Sequence, residues 1–505
     1  MKFSKIATLV AAATALMAST VHAASALDGA KLAWSNKHTG LSGFTSEVVS
    51  FDSLTKTLWV AGVSGVQVLD AKTGDALQFI NTSGFGSINS IAIHNGVAAF
   101  AIEASGDRRN DGVIKLYDTG TRGLLAGTNS IAVGALPDML TFTPNGSKLL
   151  VANEGTPNAV SATDKTPYAG TDPKGSVSII DMGTRSVAAT VQFDNVAPTA
   201  SNRVWAGQSL VRQPGMDIEP EYIAVSRDGS KAFVTLQEHN AVATIDLATH
   251  KTVSVVGLGA KDFNKVGNEI DVRDNSTVSF QNVAVRGLYM PDGIASFDRK
   301  GKTYYVIANE GDFREDDVDR KAAGGSGLES RLRISGVDTD ALYAAGARSI
   351  SIRDADGNEV WDSGASLDKA AHAAGLYDDG RSRDKGVEPE DVKVMEIGDR
   401  LYAFVGLERT TTGAIGVFDI SDPVNASFVT LLKNPSGFNR PEGLTTFEMD
   451  GFHYLAVASE GSGGSSSDFG TTVFQLAPVP EPGTWALMGL GLAALAGVAR
   501  RQRRA

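Results

Sequence analysis

The chain repeats itself. Seven segments open on an acid or an amide near the start of an alternating apolar run: "SEVVSFD" at Ser46, "INSIAIH" at Ile88, "PDMLTFT" at Pro137, "PEYIAVS" at Pro220, "PDGIASF" at Pro291, "PEDVKVM" at Pro389 and "PEGLTTF" at Pro441. Period-two alternation marks each as a strand with one buried face. A second strand follows each, and five of these end on a matching glutamate, as in "LLVANEG", "YYVIANEG" and "YLAVASEG". From first-strand acid to second-strand glutamate the pairs are Asp138 and Glu154, Glu221 and Glu238, Asp292 and Glu310, Glu390 and Glu408, and Glu442 and Glu460. The separations run from 16 to 18 residues, the length of one hairpin.

A third strand follows in most repeats, as in "GVQVLD", "GSVSIID" and "AIGVFDI". Strands repeated in this way with no helical period predict an all-β fold, a seven-bladed β-propeller. The last repeat ends near Leu476 without a fourth strand, and "AKLAWSN" at Ala30 has no partner of its own. The N-terminal strand is therefore expected to complete the last blade, which removes open sheet edges. Residues 156–174, 256–285 and 313–386 exceed what a blade needs and are expected to be insertions; the last contains "RSISIRDADGNEVWDSG", which reads as a small separate hairpin. Its "DADGNEVWD" lacks full calcium-loop spacing and reads as a tight turn.

In a propeller the start of each first strand and the end of each second strand lie on one face. That geometry is expected to gather Glu47, Asp138, Glu221, Asp292, Glu390 and Glu442 with Glu103, Glu154, Glu238, Glu310, Glu408 and Glu460 around one mouth. Crowded carboxylates raise one another's pKa and need compensation. A divalent cation suits hard oxygen ligands, Ca²⁺ above all. The candidate ligands are Glu221, Glu238, Asp292, Glu310, Glu390, Glu408, Glu442 and Glu460. Arginine is the other source of charge, from Arg314, Arg331, Arg333, Arg409 or Arg440, through bidentate pairing. Structural pairing, metal binding and catalysis all stay open at this point. His239, beside Glu238, is the one histidine placed for chemistry, and no nucleophile elbow or phosphate-cradling glycine loop occurs.

The ends of the chain read differently from the body. Residues 1–23 carry Lys2 and Lys5, an apolar run, then Val21 and Ala23 before a cleavage point, the pattern of a secretory signal peptide. There are no cysteines, so stability outside the cell must come from packing or metal. Formal net charge is -12, and removing Lys2, Lys5, Glu481 and the four arginines of the tail makes the body more acidic still. Such a surface argues against nucleic acid and anionic membranes as partners.

At the C-terminus stand Pro480, Glu481 and Pro482, an apolar stretch from Trp485 to Ala499, and Arg500, Arg501, Arg503 and Arg504. This layout resembles the PEP-CTERM sorting signal of Gram-negative bacteria. The resemblance implies a transmembrane helix that holds the protein before sorting, recognition and cleavage by an exosortase, and a place in exopolysaccharide or biofilm matrix. The blocks "PDMLTFTPNGSKLLVANEG", "DIEPEYIAVSRDGSKAFVTLQEHNAVATIDL" and "GVEPEDVKV" resemble the choice-of-anchor I family of secreted propellers, themselves loosely similar to YVTN-type repeats. The expected organisation is a signal peptide at 1–23, the propeller at 24–477 and the sorting signal at 478–505. The expected function is an exported surface or matrix binding and scaffold module, supported by calcium and without an organic cofactor. The enzymatic alternative is a metal-dependent phosphoesterase of the alkaline phosphatase or phytase kind.

Overall fold

The computed structural model describes residues 27, 29–41, 43–156, 173–193, 218–313, 320–336, 340–462 and 468–479. The signal peptide, the sorting signal with Pro480, Glu481 and Pro482, and Arg314 lie outside the described residues.

Among the described residues, seven sheets each contain a run of four antiparallel strands. Their first strands are Val48–Asp52, Ile88–His94, Pro137–Phe142, Pro220–Val225, Ile294–Arg299, Pro389–Ile397 and Pro441–Met449. Each first strand touches the next in this order, and Pro441–Met449 touches Val48–Asp52. Seven apolar cores fill the spaces between consecutive sheets, the last of them between the seventh sheet and the first. Trp59 meets Phe100 across one such space, and Phe51 stacks on Phe447 at 4.2 Å across another. Trp59 is fully buried, and truncating such a side chain to alanine costs about 3–5 kcal/mol.

The N-terminal strand Lys31–Asn36 pairs antiparallel with the C-terminal strand Gly470–Pro478, Lys31 opposite Gln475 and Asn36 opposite Thr471. Trp34 anchors it by donating its indole N–H to the Ala71 carbonyl at 3.0 Å. Partners 435 to 444 residues apart in sequence thus share one sheet.

Third strands end on aspartate for a local reason. Asp246 Oδ1 accepts the amides of Ala248 (3.0 Å) and Thr249 (2.7 Å), which closes the turn into the fourth strand. Asp354 does the same for Asp356 and Asn358, so the calcium-like segment is a tight turn. That turn joins Ser349–Asp354 to Glu359–Asp362, and these are the third and fourth strands of the fifth sheet. The expectation of a separate hairpin is therefore corrected: the inserted residues lie between the second and third strands of that sheet.

The insertions before and within the fifth repeat form a unit with its own core of Phe263, Ile270, Val283, Leu332 and Ile334. It carries a three-stranded sheet of Ala260–Asp262, Val285–Leu288 and Leu342–Ala345, and a hairpin of Arg320–Ala322 with Arg333–Ser335. The helix Ser366–Ala373 follows, and no helix among the described residues is long and apolar enough to cross a membrane.

Candidate cation site

The first strands begin with a register fault. Pro137 faces Asn153 but Leu140 faces Val151, and the same extra residue appears after Pro220, Pro389 and Pro441. A bulge of this kind takes the residue after the proline out of the ladder and re-aims its side chain. The residue before the proline is left-handed at Leu136, Met290, Glu388 and Arg440. Together they carry Asp138, Glu221, Glu390 and Glu442 out of the sheets and onto the wall of one cavity.

Second strands stop for a matching reason. Asn309, buried, ties its strand to the next by donating to the Ser349 and Ser351 hydroxyls, and Gly311 then turns the chain away at φ +86. Glu310, between them, is left facing the cavity.

The cavity has a volume of about 400 Å³. Of the expected residues, Glu47, Asp138, Glu221, Asp292, Glu310, Glu390, Glu408, Glu442 and Glu460 line it, and Asp312 joins them. Glu103, Glu154 and Glu238 are not on its wall, nor is His239. For Glu238 the reason is register. Pro220 pairs with Leu236 as Pro389 pairs with Leu407 and Pro441 with Ser459, so the residue equivalent to Glu408 and Glu460 is Gln237. Gln237 lines the cavity and donates to Glu310 Oε2 at 2.7 Å. Glu154 occupies the equivalent place in the third repeat but bonds to Thr156.

Ten carboxylate side chains meet three cationic ones, Arg108, Lys385 and Arg409, on this wall. The charge is thus far from balanced by the protein. Of the expected arginines, Arg409 pairs with Glu408 (2.8 Å) and Arg440 with Glu460 (3.0 Å). Arg331 and Arg333 pair elsewhere, with Asp274 and Asp384, because the inserted unit holds them. The sequence reading missed Lys385, which bonds Glu310 at 2.5 Å and Glu388 at 3.1 Å. Its signal was present as "DKGVEPE", a lysine and a glutamate flanking the first-strand motif.

Burial dominates the electrostatics. It pushes Glu47 up to about 7, with Glu460, Asp138 and Glu103 adding to the effect and the Thr45 hydroxyl opposing it. Asp138 rises to about 6 and Glu408 to about 8, both first through burial. Glu221, Asp292, Glu390 and Glu442 lie well above the carboxylate range, through burial and then through one another and their neighbours. Glu388 goes the other way: burial would raise it, but Lys385, Arg381 and Arg409 hold it below its ordinary value. Burial and mutual repulsion therefore favour the protonated form of most of these carboxyls.

Two groups of acids have oxygens close enough for one ion: Glu310, Glu390 and Glu408, and Glu408, Glu442 and Glu460, with ligand atoms mutually within 4.8 Å in each. Oxygens bound to Ca²⁺ at 2.3–2.6 Å lie at most about 5 Å apart, so either group fits.

The choice-of-anchor I domain model matches residues 47–335 and 327–423, a span holding all the first strands but the last. The chain belongs to the choice-of-anchor I domain family. Its repeats form a β-propeller. A PEP-CTERM protein-sorting motif matches residues 478–504. That motif indicates export and a cell-surface location in a Gram-negative bacterium, and it implies recognition by exosortase-type sorting machinery. No curated protein matches the chain. Among solved structures the chain is similar to a chain of Kuenenia stuttgartiensis hydrazine synthase, at 12% identity and TM-score 0.49, covering 87% of this chain and 98% of that one. It is also similar to the Myceliophteria thermophila Cps50 (Swd1) β-propeller domain, at 10% identity and TM-score 0.45, covering 89% and 100%. A chain of the mitotic checkpoint complex is similar at 11% identity and TM-score 0.44, covering 90% and 94%. None of these bears on activity.

Proposed function

We propose that this protein is an exported binding and scaffold module: a leader at 1–23, a seven-bladed propeller at 24–477 closed by Lys31–Asn36, and a sorting signal at 478–505 removed at the surface. The ring of first-strand contacts and the seven inter-sheet cores support the blade count. The acidic cavity holds a divalent cation, Ca²⁺ by its oxygen-only donors, with Glu310, Glu390 and Glu408 or Glu408, Glu442 and Glu460 as ligands.

One observation carries this reading. Oε2 of Glu390, a member of the first of these groups, is buried on the cavity wall without a hydrogen-bond partner, on a residue only 8% exposed. An acceptor left so costs about 1–3 kcal/mol, and a bound cation removes that cost. An exopolysaccharide partner would meet a body of net negative charge, and a bound ion supplies the bridge.

The test is thermal melting of the purified body in calcium and in chelator, alongside turnover of a phosphomonoester and a phosphodiester. Calcium should raise the melting temperature without turnover. Indifference to calcium overturns the cation, and chelator-sensitive turnover abolished by Glu390→Gln replaces the scaffold with a phosphoesterase.

A further inference from the structure

Lys385 is not part of the repeat. It arrives from the inserted segment, four residues ahead of Pro389, and it is 7% exposed. Its ammonium contacts Glu310 Oε1 at 2.5 Å, and Gln237 Nε2 occupies Glu310 Oε2 at 2.7 Å. Both oxygens of a candidate ligand are therefore already engaged. A divalent ion on Oε1 at 2.3–2.6 Å would lie within about 5 Å of the ammonium, where like charges in a buried site repel strongly.

The second partner of the lysine, Glu388, has other cations beside it. Glu388 is held by Arg381 at 2.5 Å and by Arg409 at 3.6 Å as well as by Lys385 at 3.1 Å. Glu310, by contrast, has Lys385 as its one ion-pair partner among the described residues. The segment that carries Lys385 is itself tied down: Arg348, buried, donates to the carbonyls of Ser382 (2.7 Å) and Asp384 (3.0 Å), and Asp384 pairs with Arg333 at 2.8 Å.

We infer that Lys385 is a tethered counter-cation, supplied by the insertion, which a divalent ion must displace from Glu310 before the cavity can hold it. This rests on the cavity being a divalent-cation site. The consequence is a site of lowered affinity, in the range of extracellular calcium modules, about 10⁻⁴–10⁻³ M, rather than that of cytosolic sensors. The insertion thus sets the concentration at which the cavity fills.

The experiment is calcium titration of the whole exported body by calorimetry, with calcium as the only added ligand. Lys385→Met should tighten binding at least tenfold. Lys385→Arg, which keeps the charge, should stay within threefold of the parent. Lys369→Met, which removes a surface lysine paired with Glu269, should change affinity less than twofold. Amine labelling read by peptide mass provides a readout on the unmutated protein: the reactivity of Lys385 should rise at least tenfold when calcium is added. Calcium binding by the parent with Lys385→Met unchanged or weaker, or with labelling of Lys385 unaltered, overturns the inference alone. No calcium binding by the parent or by Lys385→Met overturns the cation reading beneath it. Binding by Lys385→Met alone leaves the native cavity without calcium and overturns the cation reading of the parent, and with it the inference.

Discussion

Gly311 and Gly346 pack back to back beneath Glu310: a Cβ on Gly311 would fall 1.9 Å from the Gly346 amide nitrogen. Gly311 is also left-handed, at φ +86. The Gly311→Ala substitution therefore meets a backbone clash and a disfavoured φ together. It should cost about 2–4 kcal/mol, roughly 1 from φ and the rest from overpacking. Gly324, at φ +76 with open space around it, provides the comparison, and Gly324→Ala should cost only about 1 kcal/mol. Denaturant unfolding of both variants checks the difference, and equal losses would contradict it.

Removing Lys31–Asn36 should destabilise the whole body. The deletion leaves the outer edge of Gly470–Pro478 unpaired and takes away buried Trp34, a loss of about 3–5 kcal/mol by itself. The neighbouring His38 links the same strand through Nε2 to Thr471 at 2.8 Å. Thermal melting decides the matter: a truncated protein that melts with the parent is incompatible with closure by this strand.

Much of this architecture was legible in the sequence because a blade writes its period into every repeat. The acids after Pro137, Pro220, Pro389 and Pro441 could be placed on one face from the repeated hairpins and the geometry of a propeller. Glu238 could not, since it stands one residue past the register position, which Gln237 fills, and only the ladder shows it. Lys385 was hidden for another reason. It comes from an insertion, where no repeat gives a frame, and its partner Glu310 lies 75 residues away in sequence. The strands Ser349–Asp354 and Glu359–Asp362 were set apart for the same cause: the insertion separates them from Lys302–Asn309, the strand they belong beside.

Glu47 gives the metal-free protein a pH dependence of known sign. Its carboxyl is raised from 4.5 to about 7 in the fold, chiefly by burial. Stability from its protonation is complete below the unfolded value and is lost as pH rises through 7, with Asp138 and Glu408 acting in the same direction. In chelator the melting temperature should fall between pH 5 and pH 8. Glu47→Gln should flatten part of that fall, by at most about 3 kcal/mol at 1.36 kcal/mol for each pH unit. A parallel profile for the variant would show that Glu47 does not contribute.

Sorting in the host should shorten the protein. Intact-mass measurement of material taken from the cell surface should find the chain ending near Pro482, and a mass that still includes Arg500 to Arg504 means retention through the membrane instead.

The most direct measurement of the central claim is the calcium content and calcium affinity of the body after exhaustive dialysis, compared with Glu390→Gln and Glu408→Gln. The account predicts saturable binding by the parent and a loss of at least tenfold in affinity for Glu408→Gln, which belongs to both groups of ligands. It predicts that each glutamine variant, freed of one crowded carboxylate, melts no lower than the parent in chelator at pH 8. A dialysed body that takes up no calcium at millimolar concentration, or one whose affinity for it is unmoved by both substitutions, contradicts the cavity as a cation site.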